Sequence, residues 1–276
     1  MPPQIILIDD PADPRVAAYR DVRERDLVGR EGLFVAEGEV VLNVLARSRL
    51  CEPISLMIAR KRVAGLAHLI ARMPDEVPVY SASQEAMDAV VGFHIHRGIL
   101  ALGRRRAAQG AADMLAGLGE GSLVLALSGI ANHDNMGGLF RNAAAFGVDA
   151  VLLDTDCCDP LYRKAIRVSV GAVLTTPFAT AQGDLLDGLG AAGFETLALS
   201  PGGARRLVDL RRPSKTAVLL GAEGPGLPAS VLARVTTVAI PMATGFDSLN
   251  VATTAGIVLH HLAFAAARAE SSFRDV

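Results

Sequence analysis

Apolar and polar positions along this chain alternate in blocks rather than residue by residue. Short, continuously apolar runs are separated by longer stretches with helical spacing. Strands buried on both faces need such runs, so the pattern predicts a mostly parallel sheet covered by helices. Before residue 104 it predicts strands at 33–35, 54–58, 77–80 and 99–102, with helices at about 37–46, 63–72 and from 83. After residue 121 the alternation is cleaner. Strands are predicted at 123–127, 150–153, 195–199, 217–220 and 237–240. The helices expected there are 137–146, 164–168, 185–192, a short one after Pro228 and an apolar one that closes the chain. No internal repeat is visible. Residues 104–121 hold an Arg triplet, several glycines and many alanines without a strand pattern, and they read as a linker. The expected division is 1–106, a linker at 107–121, and 122–276, with both domains of α/β class.

Composition supports two soluble domains. The 276 residues suffice for two cores, and the 51% apolar content rests heavily on alanine, with aromatics at 4%. A net charge of −2 does not announce a nucleic-acid binder. Local charge is less neutral: Arg15, Arg20, Arg23, Arg25 and Arg30 crowd the start, and Arg60-Lys61-Arg62 and Arg104-Arg105-Arg106 form further clusters. Taken alone, such clusters read first as solvated helix faces and a linker. Three cysteines, two of them neighbours (Cys157 and Cys158), give no disulfide framework, and no Cys/His spacing suggests zinc. A start without a basic and then apolar stretch argues against a leader, so a reducing, cytoplasmic setting is expected. Residues 251–267 lack Lys, Arg, Asp and Glu but are short for a membrane span and carry His260 and His261. A helix packed on several sides is the better reading, and no membrane association is expected.

Three loops carry candidate chemistry, each after a predicted strand. The first runs from Asn132 to Gly147, with Asn135 near a helix start and Arg141 less than two turns further in. Its glycines allow a ligand close to that helix N-terminus; an ordinary Asn cap with a surface Arg fits the same residues. The second, Leu220-Gly-Ala-Glu-Gly-Pro-Gly-Leu-Pro228, puts Glu223 among three glycines. A carboxylate there could orient a hydroxyl or anchor an Arg, or could be a solvated turn residue. The third follows the strand ending at Ile240 and offers Asp247, Ser248 and Asn250 at the start of the apolar helix. Either Ser248 or Asn250 could cap that helix, but polar residues alternating about Leu249 also suit a cleft at the end of a sheet. None of the loops is a dinucleotide fingerprint or a Walker loop.

In this order and spacing the three loops resemble the three motifs of the SpoU (TrmH-like) RNA ribose 2′-O-methyltransferases of the SPOUT superfamily. The resemblance covers about 123–267. Lys164-Ala-Ile-Arg-Val-Ser-Val-Gly-Ala172 is similar to the family's basic helix and Ser-x-Gly-Ala turn. Phe34-Val-Ala-Glu-Gly-Glu39 and His96-Arg-Gly-Ile-Leu-Ala101 resemble its substrate-binding domain, which is similar to ribosomal protein L30e. The resemblance implies a trefoil-knotted C-terminal domain, a homodimer with its active site at the interface, and S-adenosylmethionine as methyl donor with no metal. The acceptor would be a ribose 2′-hydroxyl in ribosomal or transfer RNA, held by the N-terminal domain and its arginines. Asn135, Arg141, Glu223, Ser248 and Asn250 fall on the family's catalytic positions. Leu199, Gly221, Ile240, Met242 and Leu249 fall on its donor-binding positions. His133 stands where many members have Pro, which leaves the form of the first loop open. A non-catalytic RNA-binding or ribosome-assembly protein that keeps the fold is the alternative.

Overall fold

A computed structural model of the chain describes residues 4–20, 32–107, 109–245 and 248–265. Arg23, Arg25, Arg30 and Asp247 lie outside the described residues. The chain begins β1 (Ile5–Ile8), β2 (Leu33–Glu37), α1 (Glu39–Leu45), β3 (Cys51–Ala59), α2 (Ala67–Ile70), β4 (Val79–Ala82), α3 (Gln84–Val91) and β5 (Ile99–Arg105). It continues α4 (Ala111–Ala116), β6 (Leu123–Leu127), α5 (His133–Ala145), β7 (Ala150–Leu153), α6 (Arg163–Val168), β8 (Phe178–Thr180) and α7 (Leu185–Ala191). Then come β9 (Glu195–Leu199), β10 (Arg205–Arg206), β11 (Thr216–Leu220), α8 (Ala229–Leu232), β12 (Thr236–Ala239) and α9 (Val251–Ala265).

Two compact units result. The first comprises Met1–Ala107 and Asp159–Thr175. Its sheet has the order β1-β4-β3-β5-β2, with β2 and β3 antiparallel to β5 and the remaining pairs parallel. Residues 159–175 fall in the second domain by sequence but group with this first unit. The contacts explain why. Glu37, only 7% exposed, lies 3.8 Å from Arg163 and 4.0 Å from Arg167, and a carboxylate so buried needs cationic neighbours. The Arg163 guanidinium also sits 4.1 Å over the Phe93 ring. The helix expected at 63–72 is instead two 3₁₀ turns, Arg60–Arg62 and Ala64–Leu66, and the short α2. Gly65 inside it weakens any continuous helix.

The second unit, Ala108–Cys158 with Thr176–Val276, holds a seven-stranded sheet of order β10-β12-β9-β11-β6-β7-β8, every pair parallel. The central strands β6 and β11 are buried along their whole length, as their apolar runs predict. Part of the expected linker is the helix α4. Met114 and Leu115 are buried and join a core with Val124, Leu152 and Leu219, and this packing orders a segment that carries no pattern of its own. The strands β8 and β10 were not legible in the sequence. They have three and two residues at the two edges of the sheet, and β10 is a pair of exposed arginines. The apolar α9 packs along α5. Among the described residues no helix is long and apolar enough to cross a membrane.

Candidate functional site

The first loop folds as an N-capped helix. The Asn132 side chain accepts from the backbone N–H groups of Asp134 (2.8 Å) and Asn135 (3.3 Å), so Asn132 is the cap and Asn135 is freed for other work. His133 occupies the first helical position, where Pro is favoured because its N–H would have no intrahelical partner. The helix starts there without the proline. Asn135 points inward and is 6% exposed.

The second loop is a tight reversal. The Gly226 N–H donates to the Ala222 carbonyl at 3.1 Å, and the turn between them carries Glu223. Gly221 is required by space: a Cβ there would lie 2.8 Å from backbone atoms of Gly226 and Leu227. In the third loop, Asn250 caps α9, its Oδ1 accepting from the N–H groups of Ala252 (2.9 Å) and Thr253 (3.2 Å). The capping reading of Asn250 is therefore correct, and it is incomplete. Its Nδ2 donates to Asn135 Oδ1 at 2.8 Å and approaches Glu223 Oε1 at 3.5 Å. Asn135 Nδ2 donates to that same carboxylate oxygen. Three side chains from three distant segments thus form one network, with Glu223 Oε1 accepting from both amides.

Beside this network opens a cavity of about 660 Å³, a size that suits a small-molecule ligand. Its lining includes all five residues expected to bind a donor: Leu199, Gly221, Ile240, Met242 and Leu249. Glu223, Ser248 and Asn250 line it as well. Main-chain turns and apolar side chains dominate the wall, and Glu223 is its one carboxylate among the described residues. Arg141 stands apart. It is exposed on α5 and makes no hydrogen bond or ion pair to another described residue, so it is not part of the network that joins Asn135, Glu223 and Asn250. Among the described residues no cluster of His, Cys, Asp and Glu could hold a metal.

Several supporting residues escaped the sequence reading. Asn142, two helical turns beyond Asn135 and on the same face, donates to the Ala252 carbonyl at 2.6 Å and ties α5 to α9. Gly138 lies between them, where a Cβ would come 2.8 Å from the Ala252 Cβ. The 135, 138, 142 spacing was the available signal. Asp154 accepts from the Gly129 N–H at 2.9 Å and steadies the chain entering the first loop. The Cys157 thiol donates to the Leu127 carbonyl and accepts from the Ile130 N–H, both at 3.4 Å. Burial is the main cause that pushes its pKa up to about 12, so it is a neutral packing group, not a nucleophile.

Comparison with known proteins adds to this geometry. Residues 122–260 match the model of the SpoU rRNA Methylase family. A protein of Mycobacterium bovis described as an uncharacterized tRNA/rRNA methyltransferase is 41% identical over 264 residues, covering 91% of this chain and 89% of the relative. A similarly described Synechocystis protein is 38% identical over 143 residues, 50% of this chain and 52% of the relative. Among solved structures, an AdoMet-bound rRNA methyltransferase from Sinorhizobium meliloti superposes with a TM-score of 0.79 at 23% identity, over 97% of this chain and 99% of that one. The SpoU methyltransferase AviRb from Streptomyces viridochromogenes, in complex with AdoMet, gives 0.76 at 20% identity over 94% and 98%. At these identities the likeness is one of fold.

Proposed function

The chain belongs to the SpoU rRNA methylase family, and from that membership we propose that it transfers a methyl group from S-adenosylmethionine to a ribose 2′-hydroxyl in ribosomal or transfer RNA. The observation that carries the reading is the meeting of Asn135, Glu223 and Asn250 beside a cavity walled by Leu199, Gly221, Ile240, Met242 and Leu249. The cavity fits the donor. Its apolar wall suits the adenine ring, while the turns at 199–201 and 221–227 bring backbone groups for its polar edges. The donor supplies a methyl group already joined to a good leaving group, so the protein's task is to position and to manage charge.

Arg141 is the residue for charge. A guanidinium stays protonated, which makes it a poor base and a good partner for phosphate or for oxygen as it becomes negative. Its exposure and its lack of a described partner leave it available for either. Asn135 and Asn250 hold Glu223 at the cavity wall, and Ser248, on the same wall, would hydrogen-bond the acceptor hydroxyl. A homodimer belongs to this reading. Ile257 (40% exposed) and Phe264 (52%) form an apolar stripe with Thr253 and His260 along one face of α9, which a second copy would cover. The trefoil knot, the cytoplasmic setting and RNA contact by the N-terminal arginines belong to it too.

The test has two parts. Titration calorimetry should show S-adenosylmethionine binding, and mass spectrometry of RNA from cells with and without the protein should reveal one 2′-O-methyl site that depends on it. Arg141→Ala should abolish methylation, by at least about 10²–10³ in rate, while donor binding survives. Full turnover in that variant would remove Arg141 from the mechanism. Wild-type protein that binds RNA but not the donor would favour the non-catalytic alternative.

A further inference from the structure

The outer edge of the second unit's sheet carries a cluster of positive charge that the three motifs do not use. β10 consists of Arg205 and Arg206, both exposed. It runs parallel to β12, with Arg205 beside Val238 and Arg206 beside Ala239. The next residues of that neighbouring segment, Ile240 and Met242, are walls of the cavity. The arginines therefore stand at the C-terminal end of the sheet, the end at which the cavity opens. Arg211 follows, also exposed. Between them Leu207 and Leu210 are buried, and the Leu210 carbonyl lies 3.1 Å from His261 Nε2 of α9, so the turn is anchored.

Charge in this stretch is one-sided, and only part of it is committed to partners. Asp209 is the only carboxylate from residue 200 to 215, in a chain whose net charge is −2. It meets Arg206 at 3.6 Å with both side chains about two-thirds exposed, a loose pair of little energetic weight. Arg205 and Arg211 have no hydrogen bond or ion pair to another described residue. Arg212 is committed, donating to the Gly121 carbonyl.

We propose that Arg205, Arg206 and Arg211 bind the phosphate backbone of the RNA next to the nucleotide being methylated, giving the methyltransferase unit its own RNA contact. The proposal rests on the RNA reading above. Phosphate contacts carry no sequence information; they fix register and supply salt-sensitive affinity. A strand edge at the cavity mouth is where they would hold the backbone while the ribose enters. Charged residues on an edge strand also discourage pairing with other strands, but that role makes no demand on RNA affinity.

The experiment compares wild type with the double variant Arg205→Ala, Arg211→Ala, whose side chains are exposed and whose fold is checked by unchanged S-adenosylmethionine binding. Binding to a mixed-sequence single-stranded RNA oligonucleotide is followed by fluorescence anisotropy at several salt concentrations. Each phosphate contact on a single strand contributes about 0.7 to the slope of log K against log salt, so two lost contacts should reduce it by about 1.4. Between about 50 and 200 mM salt the wild type should then lose about 7-fold more affinity than the variant. Arg205→Lys with Arg211→Lys, which keeps the charge, should keep the wild-type slope. An unchanged slope in the alanine variant would overturn the proposal. Wild-type protein that binds the donor but no RNA at all would instead overturn the RNA reading on which it rests.

Discussion

Asn250 holds two structures together, and substitution can separate them. Its Oδ1 caps α9 through two backbone N–H groups at 2.9 and 3.2 Å, and its Nδ2 donates to Asn135 Oδ1 at 2.8 Å. Asn250→Ala removes both. The lost cap costs about 1 kcal/mol. The lost donation costs about 1 kcal/mol more, near the low end for a group at a buried partner, because Asn250 is itself exposed and water can reach the gap. The sum of about 2 kcal/mol lowers the folded-to-unfolded ratio roughly 30-fold and Tm by roughly 4–8 °C for a unit of this size. Asn250→Ser keeps a capping oxygen but loses the donor, so its cost should be about 1 kcal/mol, half that of alanine. Urea unfolding measures both. Methylation behaves differently: both variants release Asn135 and Glu223 from the third loop, so both should fall to a similar low rate. If serine is as destabilised as alanine, the cap is not formed. If serine keeps full turnover, the tie between Asn135 and Asn250 has no part in the chemistry.

Two further outcomes are expected. Gly138→Ala places a Cβ 2.8 Å from that of Ala252, so α5 and α9 must separate; the overpacking costs about 1–3 kcal/mol against about 1 kcal/mol of helix propensity gained. Net destabilisation in urea, relieved by adding Ala252→Gly, would support the close crossing, and a stabilised single variant would refute it. Burial is the main cause that raises the thiol pKa of Cys51 to about 11 and of Cys157 to about 12, from an ordinary 9.0. Both thiols are therefore protonated at pH 8 and should react with a thiol reagent only after unfolding. The stability they contribute is complete below pH 9 and is lost as pH rises through 11 to 12, which unfolding measured across that range would reveal.

Most of the second unit's sheet was readable because a strand buried on both faces writes a local signature. Leu123–Leu127 and Thr216–Leu220 are covered on both sides, and their apolar runs say so. Edge elements leave no such mark. β10 is two arginines held only by pairing with β12, and α4 becomes a helix because Met114 and Leu115 find a core. Residues 159–175 follow the same logic, since the buried Glu37 that draws Arg163 and Arg167 is more than a hundred positions away in the chain.

By itself the sequence determined the α/β class, the three loops with their Asn, Arg, Glu and Ser residues, and the likeness to a methyltransferase family. Each of these is local: a run, a turn, a cap or a short motif. Only the tertiary structure decided what those residues do to one another. It made Asn132 rather than Asn135 the cap of α5, and it joined Asn135 to Glu223, 88 positions later, and to Asn250, 115 positions later. It gathered the five wall residues around one cavity and left Arg141 outside the network. The physical reason is that hydrogen bonds and cavity walls depend on distance in space. Separation along the chain says nothing about that distance until parallel strands bring the loop ends to the same edge of the sheet.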